Sequence, residues 1–326
     1  MPEPTTSREI VKAAVVSSIS PLLLDWLRAR CEVTYLPDAH QADLLKPAVA
    51  QSSILVVRSN VIVSAPVAQS MANLRIVLRV GSGTDNLDLI ALAERGVQVL
   101  RVGGEPSAPA VAELALQSAI ALLRYVPAAS AALTAGKWDK NAYTGQEICG
   151  SRVGIWGAGP IGRAVGAVFG QLGADVRFAA HQSVSSEIAV LRPADLCRTA
   201  AVHVFALPLR ADTEHFVGNE WLCRLGRRAP HLVNVGRWEL FDMPAVVSAL
   251  ERGQLSGAAI DPVETRHMAA MSNLLSASRE SGQCLNLQLT PHLGAMTTST
   301  QDRAARAAIT ALDMHWPVVF AQVRAN

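Results

Sequence analysis

The sequence contains no Cys-x-x-Cys pair, and its five cysteines (Cys31, Cys149, Cys197, Cys223 and Cys284) are widely spaced and odd in number. That argues against a disulfide framework and against a zinc site built on paired thiolates, so no metal is expected. Reduced thiols in a cytoplasm are the expected state. No apolar run reaches the roughly 20 residues that a membrane-spanning helix needs. Lys and Arg are never massed, and the net charge is only +2, which predicts no strong attraction to nucleic acid or to a membrane. The opening MPEPTTSREI lacks the pattern of a secretory signal. Charged residues make up 17% and hydrophobic residues 50%, a balance that supplies a core and implies no disordered tract.

The 326 residues suffice for two domains. From Val11 onward, β-rich runs alternate with helical patterns: VKAAVVSS, EVTYLP, SSILVVRS, LRIVLRVG and VQVLRV read as strands. Ser20-Pro21 opens a helix, since Ser is a favoured cap and Pro is tolerated at the first helical position. LDLIALAERG is helical and closes on Gly96. A long apolar helix, APAVAELALQSAIALLRYV, precedes a second series of six strand candidates: RVGIW, DVRFAA, VHVFAL, HLVNVG, SGAAID and CLNLQL. Repeated βα alternation predicts mainly parallel, doubly wound sheets in an α/β fold. A last helix, around Thr297 to Phe320, could return to the first domain.

Gly157, Gly159 and Gly162 stand in G-x-G-x-x-G spacing between a strand and a helix, with a second strand after Gly173. In that context the pattern is a dinucleotide fingerprint. Gly157 permits the turn, Gly159 admits a pyrophosphate, Gly162 permits close helix–strand packing, and the helix N-terminus favours phosphate. The second strand lacks the acid that usually holds the ribose 2′-OH of NAD. It ends on Ala179 and Ala180, followed by His181, Gln182, Ser183 and Ser185, while Asp175 lies at the wrong end. Loss of that carboxylate removes a repulsion against a 2′-phosphate, so NADPH is expected to be accepted. Preference for NADPH and an indifferent NAD(P) pocket both remain open.

Several stretches in order resemble the D-2-hydroxyacid dehydrogenases, over essentially the whole chain: RVGSGTDNLDLIALAERGVQV, AVAELALQSAIALLR, GAGPIG, ALPLRADT, LVNVGRWEL, ALERGQLSGAAID and LTPHLGAMT. The resemblance implies a Rossmann dinucleotide-binding domain at 105–293 and a discontinuous, flavodoxin-like substrate domain at 1–104 and 294–326, with a cleft between them. It also implies a homodimer built through the central domain and a small anionic substrate. Arg237 matches the catalytic arginine, whose planar guanidinium suits a 2-keto carboxylate. His292 matches the acid/base histidine, a reversible proton carrier near neutrality. Gly81, Ser82 and Gly83 match the turn whose amides receive the substrate carboxylate. Arg58 and Ser59 resemble the Arg-Ser of phosphoglycerate dehydrogenases, where the arginine faces a phosphate; the regulatory domain of many such enzymes is expected to be absent here. The lysine used by phosphite dehydrogenase falls on Ser82, which argues against phosphite. Around the dinucleotide, the resemblance assigns Pro160 and Ile161 beside the glycines, then Leu207, Pro208, Thr213, Val235, Gly236 and Asp261, the last orienting the nicotinamide carboxamide.

The pattern breaks in GAAIDPVETRHM. The family has a Glu five residues after the Asp261 position, bonded to the catalytic histidine and stabilising its protonated form. Arg266 stands there, followed by His267 rather than Pro, and the nearest acid is Glu264. Either Glu264 reaches His292 as the third catalytic residue, or the pair is absent and Arg266 disfavours the charged imidazole. In the second case Arg266 could instead serve a doubly charged substrate. Trp238 replaces a common Gly after the arginine, lining a larger pocket or packing beneath the site. The expected activity is hydride transfer between NAD(P)H and a 2-keto/D-2-hydroxy acid pair. The rival is a dinucleotide-sensing scaffold on the same fold, which retention of Arg237 and His292 disfavours.

Overall fold

The structure, a computed structural model, describes residues 11–179, 188–226, 228–280 and 285–323. The described residues fall into two compact units, one within Met1–Pro106 and Thr298–Asn326, the other within Ser107–Thr297.

The first unit is a five-stranded parallel sheet of β1 (Lys12–Val15), β2 (Glu32–Tyr35), β3 (Ile54–Val57), β4 (Ile76–Arg79) and β5 (Gln98–Arg101), in the order β2-β1-β3-β4-β5. This is the flavodoxin-like winding. Successive β3 residues point to opposite layers. Ile54 and Val56 pack with Leu23, Leu27 and Leu312, while Leu55 and Val57 pack with Leu44, Val67 and Met71. Burial on both faces explains the unbroken apolar runs of the sequence. The Pro21–Arg28 helix starts as expected, with the Ser20 hydroxyl accepting from the Leu22 amide at 3.3 Å. The helix Thr298–Val323 returns here, and Ala305, Ala308 and Leu312 lie fully inside.

The second unit holds β6 (Arg152–Trp156), β7 (Asp175–Ala179), β8 (Val190–Leu191), β9 (Val202–Phe205), β10 (His231–Asn234), β11 (Gly257–Ile260) and β12 (Leu287–Leu289). Their order is β12-β11-β10-β9-β6-β7-β8, all parallel. The winding reverses between β6 and β9, the switch point beside which open α/β sheets bind ligands. Two sequence readings need correction. The strand β8 spans two residues and leaves no periodic signal to read. The long apolar helix breaks: Ala108–Leu123 stops before Tyr125, whose φ of 54° forces a turn, and Val126–Thr134 sets off at 62° to it. No single helix among the described residues is long and apolar enough to cross a membrane.

Two histidines are sealed into this sheet. His203 is fully enclosed and accepts a hydrogen bond from Trp156 Nε1 at 3.2 Å, and His231 lies under Tyr125. Burial pushes His203 from 6.5 down to about 3 and His231 down to about 4. Both stay neutral in the fold but bind a proton in the unfolded chain below about pH 6.5. Stability is therefore fully present above that pH and is lost as the pH falls toward the folded-state values. At about pH 4.5 each histidine costs on the order of 2–3 kcal/mol. The His231→Phe variant keeps a ring beside Tyr125 and removes one titration, so its denaturation midpoint should fall less between pH 7 and 4.5 than the parent's. Parallel acid limbs in the two proteins would contradict this.

Candidate active site

The glycine loop joins β6 to the Pro160–Gln171 helix. A Cβ at Gly162 would strike the Gly157 carbonyl oxygen, so the helix can approach the strand only without one. A Cβ at Gly159 would meet nothing within 4 Å. That open space lies at the helix N-terminus, where Gly159 provides no side-chain cap, and Pro160 and Ile161 begin the first turn. Uncapped N–H groups facing open space fit a pyrophosphate. Asp175, at the far end of β7, is bound by Arg152 at 2.8 Å and Arg177 at 2.7 Å. Ala180, His181 and Gln182, with Ser183 and Ser185, lie outside the described residues.

The loops after β9 and β10 form the neighbouring wall. Thr213 closes the first, its hydroxyl donating to the Pro208 carbonyl at 2.7 Å and accepting from the Arg210 amide at 2.8 Å. Gly236, after Val235, passes so close to the Leu207 carbonyl that a Cβ would stand 2.6 Å from that oxygen. Asn234 shapes the second loop. Its Oδ1 accepts from the Gly236 amide at 3.0 Å and its Nδ2 donates to the Arg237 carbonyl at 2.7 Å. Arg237 is extended, and its Nη1 donates to the Gly236 carbonyl at 2.9 Å.

Asp261 follows β11 with its carboxylate turned onto the loop after β12. Oδ1 accepts from Thr290 Oγ1 and from the Leu293 amide, both at 2.7 Å, and Oδ2 accepts from the Gly294 amide at 2.9 Å. Its carbonyl accepts from the His292 amide at 2.7 Å. Within this loop His292 adopts φ 58°, a left-handed conformation that an ordinary side chain avoids. Three donors on the carboxylate leave room for one more on Oδ2.

Of the two arrangements open in the sequence, the structure contains the one in which Glu264 faces the histidine. Glu264 Oε1 lies 3.3 Å from His292 Nδ1. Arg266 turns to acids: its Nη2 is 3.2 Å from Glu264 Oε2 and 3.1 Å from Glu239 Oε1. Trp238 packs, stacking on His267 at 4.9 Å with 11° between the rings. Glu239 and Thr290 were not singled out from the sequence. Each sits within a recognised motif, but nothing in spacing marks it as a contact.

The residues of the first unit form their own group. The Arg58 amide donates to Ser17 Oγ at 2.9 Å, and Asn86 Nδ2 donates to the Arg58 carbonyl at 2.7 Å. Burial pushes the Arg58 guanidinium below the ordinary arginine value. Ser59 follows, half-buried. At Gly81 φ is 154°, and a Cβ would stand 2.5 Å from the Arg79 guanidinium, so the Gly81-Ser82-Gly83 turn lies directly on that buried arginine.

A parallel sheet wound 3-2-1-4-5-6-7, a glycine loop at its switch point and an acid–histidine pair beyond its carboxyl edge define a nicotinamide-dinucleotide oxidoreductase fold. Residues 116–294 match the D-isomer specific 2-hydroxyacid dehydrogenase family, NAD binding domain, and the chain belongs to that family. Hydroxypyruvate reductase from Thermotoga maritima is 30% identical over 269 residues, covering 81% of this chain and 84% of the relative. D-3-phosphoglycerate dehydrogenase from Mycobacterium tuberculosis is 31% identical over 89% of this chain, and that from Methanocaldococcus jannaschii 29% identical over 78%. The chain spans about half the length of these two, 54% and 48%. Among solved structures, a Thermus thermophilus protein superposes with a TM-score of 0.79 at 27% identity, covering 93% of this chain and 97% of the other. D-lactate dehydrogenase from Aquifex aeolicus, solved with NAD and lactic acid, shares the fold with a TM-score of 0.78 at 16% identity, covering 97% and 98%.

Since the Gly162 position tolerates no Cβ, Gly162→Val should raise the dissociation constant for NADH and NADPH by at least about tenfold, as read by quenching of protein fluorescence. Unchanged binding would show that the loop does not hold the dinucleotide.

Proposed function

We propose that the chain is an NAD(P)-dependent oxidoreductase interconverting a small 2-keto acid and its D-2-hydroxy acid. The observation that carries this reading is the 3.3 Å approach of Glu264 to His292, beside the Arg237 loop and in the same unit as the glycine loop. When bound, the nicotinamide supplies or receives the hydride at the substrate's C2. The chain's residues do the rest. Arg237 holds the substrate carboxylate through a bidentate pair and polarises the carbonyl. With His292 Nδ1 turned to Glu264, Nε2 is the nitrogen that protonates the forming alkoxide, and the carboxylate stabilises the imidazolium before transfer. Gly157, Gly159, Pro160, Ile161 and Gly162 hold the pyrophosphate, Leu207, Pro208, Thr213, Val235 and Gly236 line the ring's surroundings, and the remaining Oδ2 lone pair of Asp261 accepts from the carboxamide. In the first unit the Gly81-Ser82-Gly83 turn offers amides to a carboxylate, and Arg58 with Ser59 suits a second anionic group.

Loss of the ribose acid supports use of NADPH as well as NADH. Exposed Val126, Leu133 and Trp138, the last 79% accessible, support a homodimer built through the helix Val126–Thr134. The free thiols Cys31, Cys149, Cys197 and Cys223 are consistent with a cytoplasmic protein.

Reduction of hydroxypyruvate, phenylpyruvate and other 2-keto acids tests the reading. Arg237→Ala and His292→Ala should each lower kcat/KM at least about 100-fold while leaving dinucleotide affinity within about threefold. Tight dinucleotide binding with no turnover of any 2-keto acid would favour a sensor instead. For the cofactor, Ala180→Asp should shift the kcat/KM ratio toward NADH by about tenfold or more, and refusal of NADPH by the parent would overturn the assignment.

A further inference from the structure

Around the Glu264–His292 pair lies a second layer of contacts. The Glu264 amide donates to His267 Nδ1 at 3.1 Å, and Arg266 Nε lies 3.0 Å from His267 Nε2. His267 Nε2 also lies 3.1 Å from Glu239 Oε1. The same oxygen accepts from Arg266 Nη2 at 3.1 Å, and Arg266 Nη2 also reaches Glu264 Oε2 at 3.2 Å. Arg266 lies on Glu264 Oε2 and His292 on Oε1, and the His267 backbone amide also donates to the Glu264 carboxylate. Glu239 lies two residues beyond Arg237, so these contacts also tie the Arg237 loop to the Glu264 loop. The guanidinium sits between two carboxylates, leaving the group with one net negative charge to balance a proton on His292.

We propose that Arg266 and Glu239 are positioning residues, a clamp that holds the Glu264 carboxylate against His292 from two residues short of the family's usual place for that acid. This rests on the reading of His292 as the proton donor. A carboxylate at position 264 approaches on a shorter loop, and without a fixed counter-charge its side chain has several rotamers that miss the imidazole. Arg266 is 44% accessible, so its ion pairs contribute little to stability. The effect of the clamp is on geometry.

The test is Arg266→Gln and Glu239→Gln in the full chain, with hydroxypyruvate and saturating NADPH. Both should lower kcat about tenfold with KM within about threefold, and the alkaline limb of the reduction profile should move to lower pH, as in Glu264→Gln. Arg266→Lys should recover part of the loss. In a Glu264→Gln background, Arg266→Gln should cost nothing further, because the two act through one carboxylate. A raised KM with unchanged kcat in Arg266→Gln would make Arg266 a substrate ligand and overturn the clamp, as would losses that add to those of Glu264→Gln. A readout without turnover separates this from the reductase reading. The hydrogen-bonded Nδ1–H of His292, assigned in ¹⁵N–¹H spectra by its loss in His292→Gln, should be present in the parent and lost to solvent exchange in both clamp variants. Its persistence in both, or its absence from the parent, overturns the clamp whether or not any 2-keto acid is reduced.

Discussion

The carboxylate of Asp261 is the constraint on which the site depends. It is buried, and three donors from one short loop converge on it. Hydrogen bonds to an ionised acceptor contribute roughly 1.5–3 kcal/mol each. A left-handed backbone at a non-glycine residue costs about 1–2 kcal/mol. The three bonds therefore outweigh the strain at His292, and the loop keeps a conformation it would not adopt alone. The Pro262–Pro291 bridge adds a second tie between the loops after β11 and β12. Because Glu264 and His292 leave from these two tied segments, the loop geometry brings their backbones together, and the contacts of the Glu264 side chain set the final approach.

Much of this architecture was legible from residue order. In β3, β4, β9 and β10 every residue is buried, so the apolar runs stood out. The glycine loop was legible because each glycine answers to a local steric demand that no other residue meets. The break at Tyr125 was not placed, since a tyrosine in left-handed backbone has no signature of its own and Pro127, at the start of the next helix, is the one local breaker. Two-residue β8 is held by its pairing with Phe178 and Ala179, which is a tertiary fact.

The site divides along the same line. Arg237, His292 and Asp261 stand next to strand ends within compact motifs, so their types and places could be read. The partner of His292 could not, because Glu264 and His292 are 28 positions apart and the choice between Glu264 and Arg266 turns on the course of a 3₁₀ turn, Thr265–His267. Glu239 was unreadable for a related reason: its contacts with Arg266 and His267 cross between two loops, and charge in a sequence does not reveal which loop it faces. The departures from the family pattern, Trp238, Arg266 and His267, prove to be one packed and hydrogen-bonded group rather than three separate losses.

Asp261 sets the loop that carries His292, whatever its proposed contact with the dinucleotide. Single-turnover hydride transfer in Asp261→Asn tests it most directly, because the amide replaces one acceptor with a donor that opposes either the Leu293 or the Gly294 amide. The account predicts that hydride transfer to a 2-keto acid slows at least about 100-fold while the dinucleotide dissociation constant changes less than about fivefold. Hydride transfer at the parent rate, or a loss confined to dinucleotide binding, would contradict it.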